Sequence, residues 1–353
     1  MSKNNNRKNE HVSLSEKFYP EGDTSFKDIS FIHHSLPECD VRDVSLASTL
    51  GNLHFTSPFF INAMSGGSKW TGKVNEKLAI IARETDLAIA TGSVSAALKD
   101  PAQSESFQIV RKTNPNGLIF ANLGAGHGLE NAKRAVDLLN ADALQIHLNA
   151  PQEIVMPEGD REFSQWIENV RSIVEGLKIP VIVKEVGFGM SRETIDLLDS
   201  IGVTLIDVSG KGGTNFAQIE NYRRKDFKLD DFEAWGQSTV VSLLEAQESK
   251  TRASIIASGG IRRPMEIVKA SALGASISGL SSQIMHMALD DVDETIVSLT
   301  SWKEEIKRIM TLLGAKKIED LKHTDLMITG DSSEWCDNRD INKRHYAFRS
   351  KHR

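Results

Sequence analysis

Two cysteines, Cys39 and Cys336, are all that this 353-residue chain contains, and they stand almost a full chain length apart. That excludes a disulfide framework and a cysteine-based zinc site, and it fits a reducing compartment. Also missing is any apolar stretch near the roughly 20 residues needed to cross a bilayer. The opening MSKNNNRKNEH lacks the apolar core of a secretory signal. A cytoplasmic protein that does not engage membranes is therefore expected. A large excess of charge of one sign is absent too: the net formal charge is only -6, which suits a large soluble core and gives no sign of a nucleic-acid binder.

What recurs is alternation. After a polar first 30 residues, short apolar runs come at 59–61, 87–90, 118–121, 143–146, 181–183, 205–208, 254–257 and 275–278. Segments with helical spacing lie between most of them, at 74–83, 130–139, 163–174, 192–198 and 264–272. Strand alternating with helix implies parallel pairing, and eight such units in about 250 residues match a closed (β/α)8 TIM barrel better than an open doubly wound sheet. The α/β barrel is assigned to 41–329, an N-terminal arm and lead-in to 1–40, and a polar C-terminal tail to 330–353. One interval is irregular. After the sixth run a long Gly-rich and basic loop precedes the helical segment 239–248, and it is expected to fold over the site as a lid. The tail, with little periodicity, is either frayed or used between subunits.

In such a barrel the chemistry gathers at the C-terminal strand ends. The residues there are mostly small or hydroxylic: Ala63, Met64 and Ser65; Ser93; Asn122; Ser209; Gly259 and Gly260; Leu280 and Ser281. Paired Gly-rich turns after the last two runs predict a phosphate site, although a single glycine there would serve only a tight turn. Run 142–153, DALQIHLNAPQE, breaks from apolar residues into His147, Asn149, Gln152 and Glu153. Buried without partners these groups would cost roughly 2 kcal/mol or more each, so they form a satisfied network or face a polar ligand. Lys184 ends the strand-like VIVK; its ammonium meets either an anionic flavin edge or a carboxylate, Glu185 or Glu153. The segment 124–128, GAGHG, lacks the GxGxxG spacing, which discounts a resident dinucleotide. Arg7 and Lys8 read either as a solvated tail or as an arm that closes over a diphosphate.

Together these residues resemble the type 2 isopentenyl diphosphate isomerase family almost end to end. The resemblance rests on Arg7-Lys8-x-x-His11, INAMSGG at 61–67, GSVSAALKDP at 92–101, NPNGLIFANLGA at 114–125, ALQIHLNAPQEIVMPEGDR at 143–161, VIVKEVGFGMS at 181–191, GGTNFAQIE at 212–220 and ASGGIR at 257–262. It implies a (β/α)8 barrel holding FMN through Ala63, Met64, Ser65, Ser93, Asn122, Lys184, Thr214, Gly259, Gly260, Leu280 and Ser281, to which Ser209 is added. It implies that Arg7, Lys8 and Gln152 hold a diphosphate substrate, with His11, Ser93 and Asn149 assigned beside them, and that Glu153 helps bind magnesium. A homo-oligomer, tetramer or octamer, is expected. Two departures stand out: Ser65 where members often have Thr, which keeps the hydroxyl, and Val94 where Arg or Met is common.

The implied reaction interconverts isopentenyl and dimethylallyl diphosphate. Reduced FMN would provide an acid–base group near N5, and NADPH would reduce the flavin without net redox change. Gln152 is assigned to orienting the substrate, His147 and Asn149 to positioning diphosphate and water, and Glu220 to proton transfer. Two other readings are weighed: an FMN-dependent oxidoreductase of 2-hydroxy acids, and a flavin- or phosphate-binding module without catalysis.

Overall fold

The structure is a computed structural model that describes residues 3–19 and 24–352. Residues 1, 2 and 20–23 of the arm and residue 353 of the tail lie outside the described residues. Eight parallel strands close a barrel: β1 (Phe59–Ile61), β2 (Ile89–Ala90), β3 (Ile119–Gly124), β4 (Ala143–His147), β5 (Val181–Lys184), β6 (Leu205–Asp207), β7 (Ser254–Ser258) and β8 (Ile277–Leu280). They pair in chain order, and β8 returns to β1 with Ser278 opposite Phe59 and Leu280 opposite Ile61. Each apolar run thus became a strand. The last lies two residues later than its pattern suggests, because Gly279 and Leu280 pair with β1. A 21-residue helix, Val292–Leu312, was not anticipated.

The strand period of two puts every second residue on the inner face, and along that face one end of this barrel is apolar and the other polar. Phe60, Phe120, Ala143, Ile182, Leu205, Ile256 and Ile277 fill the interior together with Leu50, Leu53 and Phe55 of a hairpin, Ser48–Leu50 with Leu53–Phe55, that plugs the N-terminal end. Phe120 stacks edge-on against both Phe55 and Phe60, with centroids 6.3 and 5.7 Å away. Two residues further along the same strands stand Asn62, Asn122, Gln145, Lys184, Asp207, Ser258 and Gly279. A single step along the inner face of each strand therefore exchanges a dry floor for a polar upper layer.

Both flanking segments are built into the fold. Ile29–Phe31 pairs antiparallel with Leu326–Ile328, which draws the lead-in and the tail together. The tail is packed rather than frayed: Gly330–Asn338 is helical, its Ser332 donates through backbone N–H and hydroxyl to Asp28 (3.0 and 2.7 Å), and Cys336 is fully buried. The N-terminal segment forms a helix, Lys3–Lys17, that buries Val12 and Ser15 and packs on Lys69–Glu84, Phe216–Arg223 and Ser282–Asp290. Those last three helices follow β1, β6 and β8, so this arm lies over the C-terminal mouth. The long interval after β6 contributes the helix Phe216–Arg223 and a 3-10 turn, Asp230–Ala234, beside the arm. Among the described residues no helix is long and apolar enough to cross a membrane.

Candidate active site

A cavity of about 380 Å³ opens at the C-terminal strand ends, within the range of small-molecule and cofactor sites. Its wall brings together Arg7, Lys8, His11, Ala63, Met64, Ser93, Asn122, His147, Asn149, Gln152, Glu153, Lys184, Ser209, Thr214, Gly259, Gly260, Leu280 and Ser281. Two of the residues singled out from sequence do not reach it. Ser65 turns its hydroxyl away, donating to Asn75 Oδ1 at 2.7 Å. Glu220 is wholly buried behind the wall, so any part it has in proton transfer runs through its neighbours and not by contact with the cavity. Its Oε1 accepts from Gln152 Nε2 (3.2 Å) and lies 2.8 Å from His11 Nε2, while its Oε2 accepts from Arg223. Burial alone would raise this carboxyl, but His11 and Arg223 hold it down at about 2. Glu220 is therefore an anchor that ties the N-terminal helix and Gln152 to the helix after β6.

The polar layer is a connected network. Asp207 accepts from Asn62 Nδ2 (2.9 Å), from Ser258 Oγ (2.6 Å) and from the Ser209 backbone N–H (3.2 Å). Asn62 Oδ1 accepts from Gln145 Nε2 (2.9 Å), Gln145 Oε1 from Asn122 Nδ2 (3.0 Å), and Asn122 Oδ1 lies 2.8 Å from His147 Nδ1. His147 is held neutral, its pKa pushed to about 3 by burial and then by the charges of Lys184 and Lys8 and by His127. Beside it, after β3, Asn131 Nδ2 donates to His127 Nδ1 (3.1 Å), whose Nε2 lies 2.9 Å from Ser95 Oγ, itself 2.9 Å from Ser93 Oγ. Asn62, Gln145, Asp207 and His127 escaped the sequence reading. The signal for the first three was present in the strand period, since each stands on the inner face two residues beyond an apolar one.

Cations crowd the cavity without enough anions to answer them. Lys184 Nζ donates to the Glu185 carbonyl at 2.5 Å and forms no ion pair with Glu185 or Glu153, which settles that alternative. Burial lowers its pKa against the raising charges of Asp207 and Glu185. Lys8 has no hydrogen bond or ion pair among the described residues, and burial, then Arg7, lower its pKa to about 8. Arg7 reaches Glu158 only at 3.9 Å, and its Nε is buried without a partner among the described residues. These groups fit a bound anion at the mouth.

The turns fit a cofactor phosphate. Gly259 and Gly260 have φ of +90° and +74°, the left-handed region that glycine adopts without strain. A Cβ on Gly259 would stand 2.0 Å from the Gly210 oxygen. Close packing against the turn after β6 thus demands this glycine, and the same pair faces the cavity beside Leu280, Ser281 and the start of the helix Ser282–Asp290. Backbone N–H groups so arranged at adjacent final strands suit the phosphate of FMN. Lys184 would lie among the buried polar groups below. For a metal, no group of three His, Cys, Asp or Glu is preformed among the described residues, and a single wall carboxylate could contribute to holding one. Glu153 lines the cavity, oriented by Asn149 Nδ2 (2.8 Å) and the Asp160 N–H (2.9 Å), and magnesium commonly takes one carboxylate with substrate oxygens and water.

Known proteins converge on the same description. The FMN-dependent dehydrogenase family pattern matches residues 127–328. An isopentenyl-diphosphate delta-isomerase of Staphylococcus aureus is 48% identical over 337 residues, 95% of this chain and 97% of that protein, and the protein of that name from strain N315 is 47% identical over the same extent. Among solved structures, mandelate oxidase with (S)-2-phenylpropionate aligns with a TM-score of 0.62 at 16% identity, over 90% of each chain. A flavocytochrome b2 variant with sulfite bound aligns at 0.64 and 18% identity, over 88% of this chain and 81% of that one. At such identities the structures establish the barrel alone. With nearly half of its residues shared along nearly its whole length, this chain belongs to the type 2 isopentenyl diphosphate isomerase family and is an isomerase on a (β/α)8 barrel of the FMN-dependent class.

Proposed function

We propose that this enzyme interconverts isopentenyl and dimethylallyl diphosphate by proton transfer at the allylic carbons, using reduced FMN, magnesium and NADPH as the flavin's reductant. The observation that carries the substrate class is the pair Arg7 and Lys8 at the cavity mouth, one with a buried unpartnered Nε and the other near the Glu220 charge but with no hydrogen bond or ion pair among the described residues. A diphosphate supplies what they lack. Reduced flavin, when bound, supplies an acid–base group that can exchange a proton with a carbon, which ordinary side chains do poorly.

The chain's own residues then bind and orient. Gln152 is 9% exposed and immobilised from both ends, its Nε2 on Glu220 and its Oε1 on Asn149 Nδ2 at 3.2 Å, so it presents a fixed face to the substrate. Glu153 would hold magnesium against the diphosphate. The arm over the mouth excludes water from the allylic carbons. Anaerobic turnover of isopentenyl diphosphate, with FMN, NADPH and magnesium omitted in turn, tests the reading. Loss of turnover on each omission, without stoichiometric NADPH consumption, is expected; a folded, FMN-loaded protein that makes no dimethylallyl diphosphate would overturn it.

Lys8 also predicts a pH dependence. Only its protonated form attracts the diphosphate, and that form predominates below about pH 8. After allowance for the ligand's own ionisation, affinity for inorganic pyrophosphate should weaken above that pH, with proton uptake by Lys8 on binding near it. Calorimetry in two buffers of different ionisation heat measures both; affinity unchanged from pH 7 to 10 would remove Lys8 from the site.

A further inference from the structure

The network across the barrel mouth has a direction. An ionised carboxylate has no proton to give, and Asp207 sits among donors: Ser258 and the Ser209 N–H on Oδ1, Asn62 on Oδ2. Burial raises its pKa while Lys184 and these three donors oppose the rise, and the ionised form is the one such a set of donors satisfies. Asn62 must then point its amine at Asp207, which leaves its carbonyl for Gln145 and for the Ala63 backbone N–H at 2.8 Å, a donor that favours the same orientation. Gln145 spends its amine there and offers its carbonyl to Asn122. Asn122 spends its amine on Gln145 and turns its carbonyl to the His147 ring at 2.8 Å. A carbonyl oxygen only accepts, so the ring nitrogen facing it carries the hydrogen.

We infer that Asp207, acting through Asn62, Gln145 and Asn122, fixes His147 as the Nδ1–H tautomer and presents a bare Nε2 lone pair to the cavity. Nε2 has no hydrogen-bond partner among the described residues, and it lies beside Gly124, where a Cβ would stand 3.1 Å from it. The imidazolium form does not compete, because burial, Lys184, Lys8 and His127 all oppose it. His147 therefore stands among the cations but does not hold the diphosphate. Its Nε2 takes a hydrogen-bond donor, whether a water, a hydroxyl or a ring N–H, and repels an anionic oxygen. Asp207, Asn62 and Gln145 are positioning residues for that acceptor.

The substitution Asp207→Asn tests the direction of the whole chain. The Ser209 N–H can only donate, so the new carboxamide keeps its oxygen on that side and turns its amine toward Asn62. Asn62 can flip to answer it only by giving up the Ala63 N–H, which donates to its Oδ1 at 2.8 Å, so the chain is left between two opposed donors and the His147 ring should lose its single tautomer. Long-range proton–nitrogen correlation spectra of protein labelled with 15N-histidine report the tautomer, with the His147 signals among the ten histidines assigned by their loss in His147→Gln. Wild type should show a protonated Nδ1 and an unprotonated Nε2, and Asp207→Asn a mixture of the two tautomers. A wild-type ring protonated at Nε2, or a folded Asp207→Asn protein that keeps Nδ1–H alone, overturns the inference. If Asp207→Asn does not fold, Asn122→Ala removes the acceptor at the ring and should mix the two tautomers; a pure Nδ1–H signal there also overturns it. These spectra need neither flavin nor substrate, so their outcome is separate from that of the isomerase assay.

Discussion

Replacing Lys8 with alanine is expected to lower kcat/KM for isopentenyl diphosphate about 10- to 100-fold, mainly through KM, while FMN content and stability hold. A hydrogen bond to a charged group contributes about 1.5–3 kcal/mol, and 1.4 kcal/mol is about a factor of ten. The stability half of the expectation follows from what surrounds the ammonium. Lys8 has no hydrogen bond or ion pair among the described residues and stands beside Arg7, whose charge lowers its pKa. Removing it breaks no ion pair and relieves a repulsion. A cation kept for folding would behave in the opposite way, costing midpoint and leaving KM alone. Steady-state kinetics beside urea unfolding of Lys8→Ala separates the two, and a wild-type KM would refute the assignment. Lys8→Arg, which keeps the charge, should recover part of the loss.

The barrel was legible because its strands are short continuous apolar runs separated by helical periodicity, and each run appears as a strand shifted by no more than about two residues. The cavity wall was legible for a related reason: residues just past each run must point into the mouth, as His147, Lys184 and Gly259 do. Less legible was what those residues do to one another. Glu220 was assigned to proton transfer from its place after the sixth run, which says nothing of its surroundings. Its helix turns it inward, onto His11 and Arg223, and no periodicity in the lid announces that. The Asp207 chain links β1, β3, β4, β6 and β7. Its members lie as far apart as 62 and 258 in sequence, and only closure of the barrel brings their amides within 3 Å. The tail misled through composition. Its polar residues and weak periodicity read as a frayed end or a contact between subunits, yet Arg339 and Trp335 turn toward a buried carboxylate on the barrel.

That carboxylate, Glu245, predicts the largest effect on stability: Glu245→Ala should destabilise the protein by about 3 kcal/mol, the lower end for breaking a buried ion pair, since Arg192 and Arg339 keep part of their surface in water. Glu245 is fully buried on the helix Thr239–Glu248. Its Oε1 accepts from Trp335 Nε1 (2.8 Å) and Arg339 Nε (2.9 Å), and its Oε2 from Arg192 Nε (3.0 Å), the Arg192 N–H (3.1 Å) and Arg339 Nη2 (3.0 Å). Burial would raise the carboxyl, but these donors hold it at about 2. A folded pKa below the unfolded one, about 4.3 for a glutamate, means that the contribution is complete above that value and is lost as pH falls from there toward 2. Urea unfolding should therefore show a gap between wild type and Glu245→Ala that is wide at pH 7 and narrows below pH 4; equal midpoints at pH 7 would refute the role. The loss should also reach the cavity. At the other end of this helix Thr239 Oγ1 donates to the carbonyls of Ser258 and Gly259 (2.8 and 2.6 Å), so one helix joins the packed tail to the turn proposed to cradle the FMN phosphate. Loosening its C-terminal anchor frees that turn to move, and the variant should release FMN faster than wild type under conditions where both remain folded.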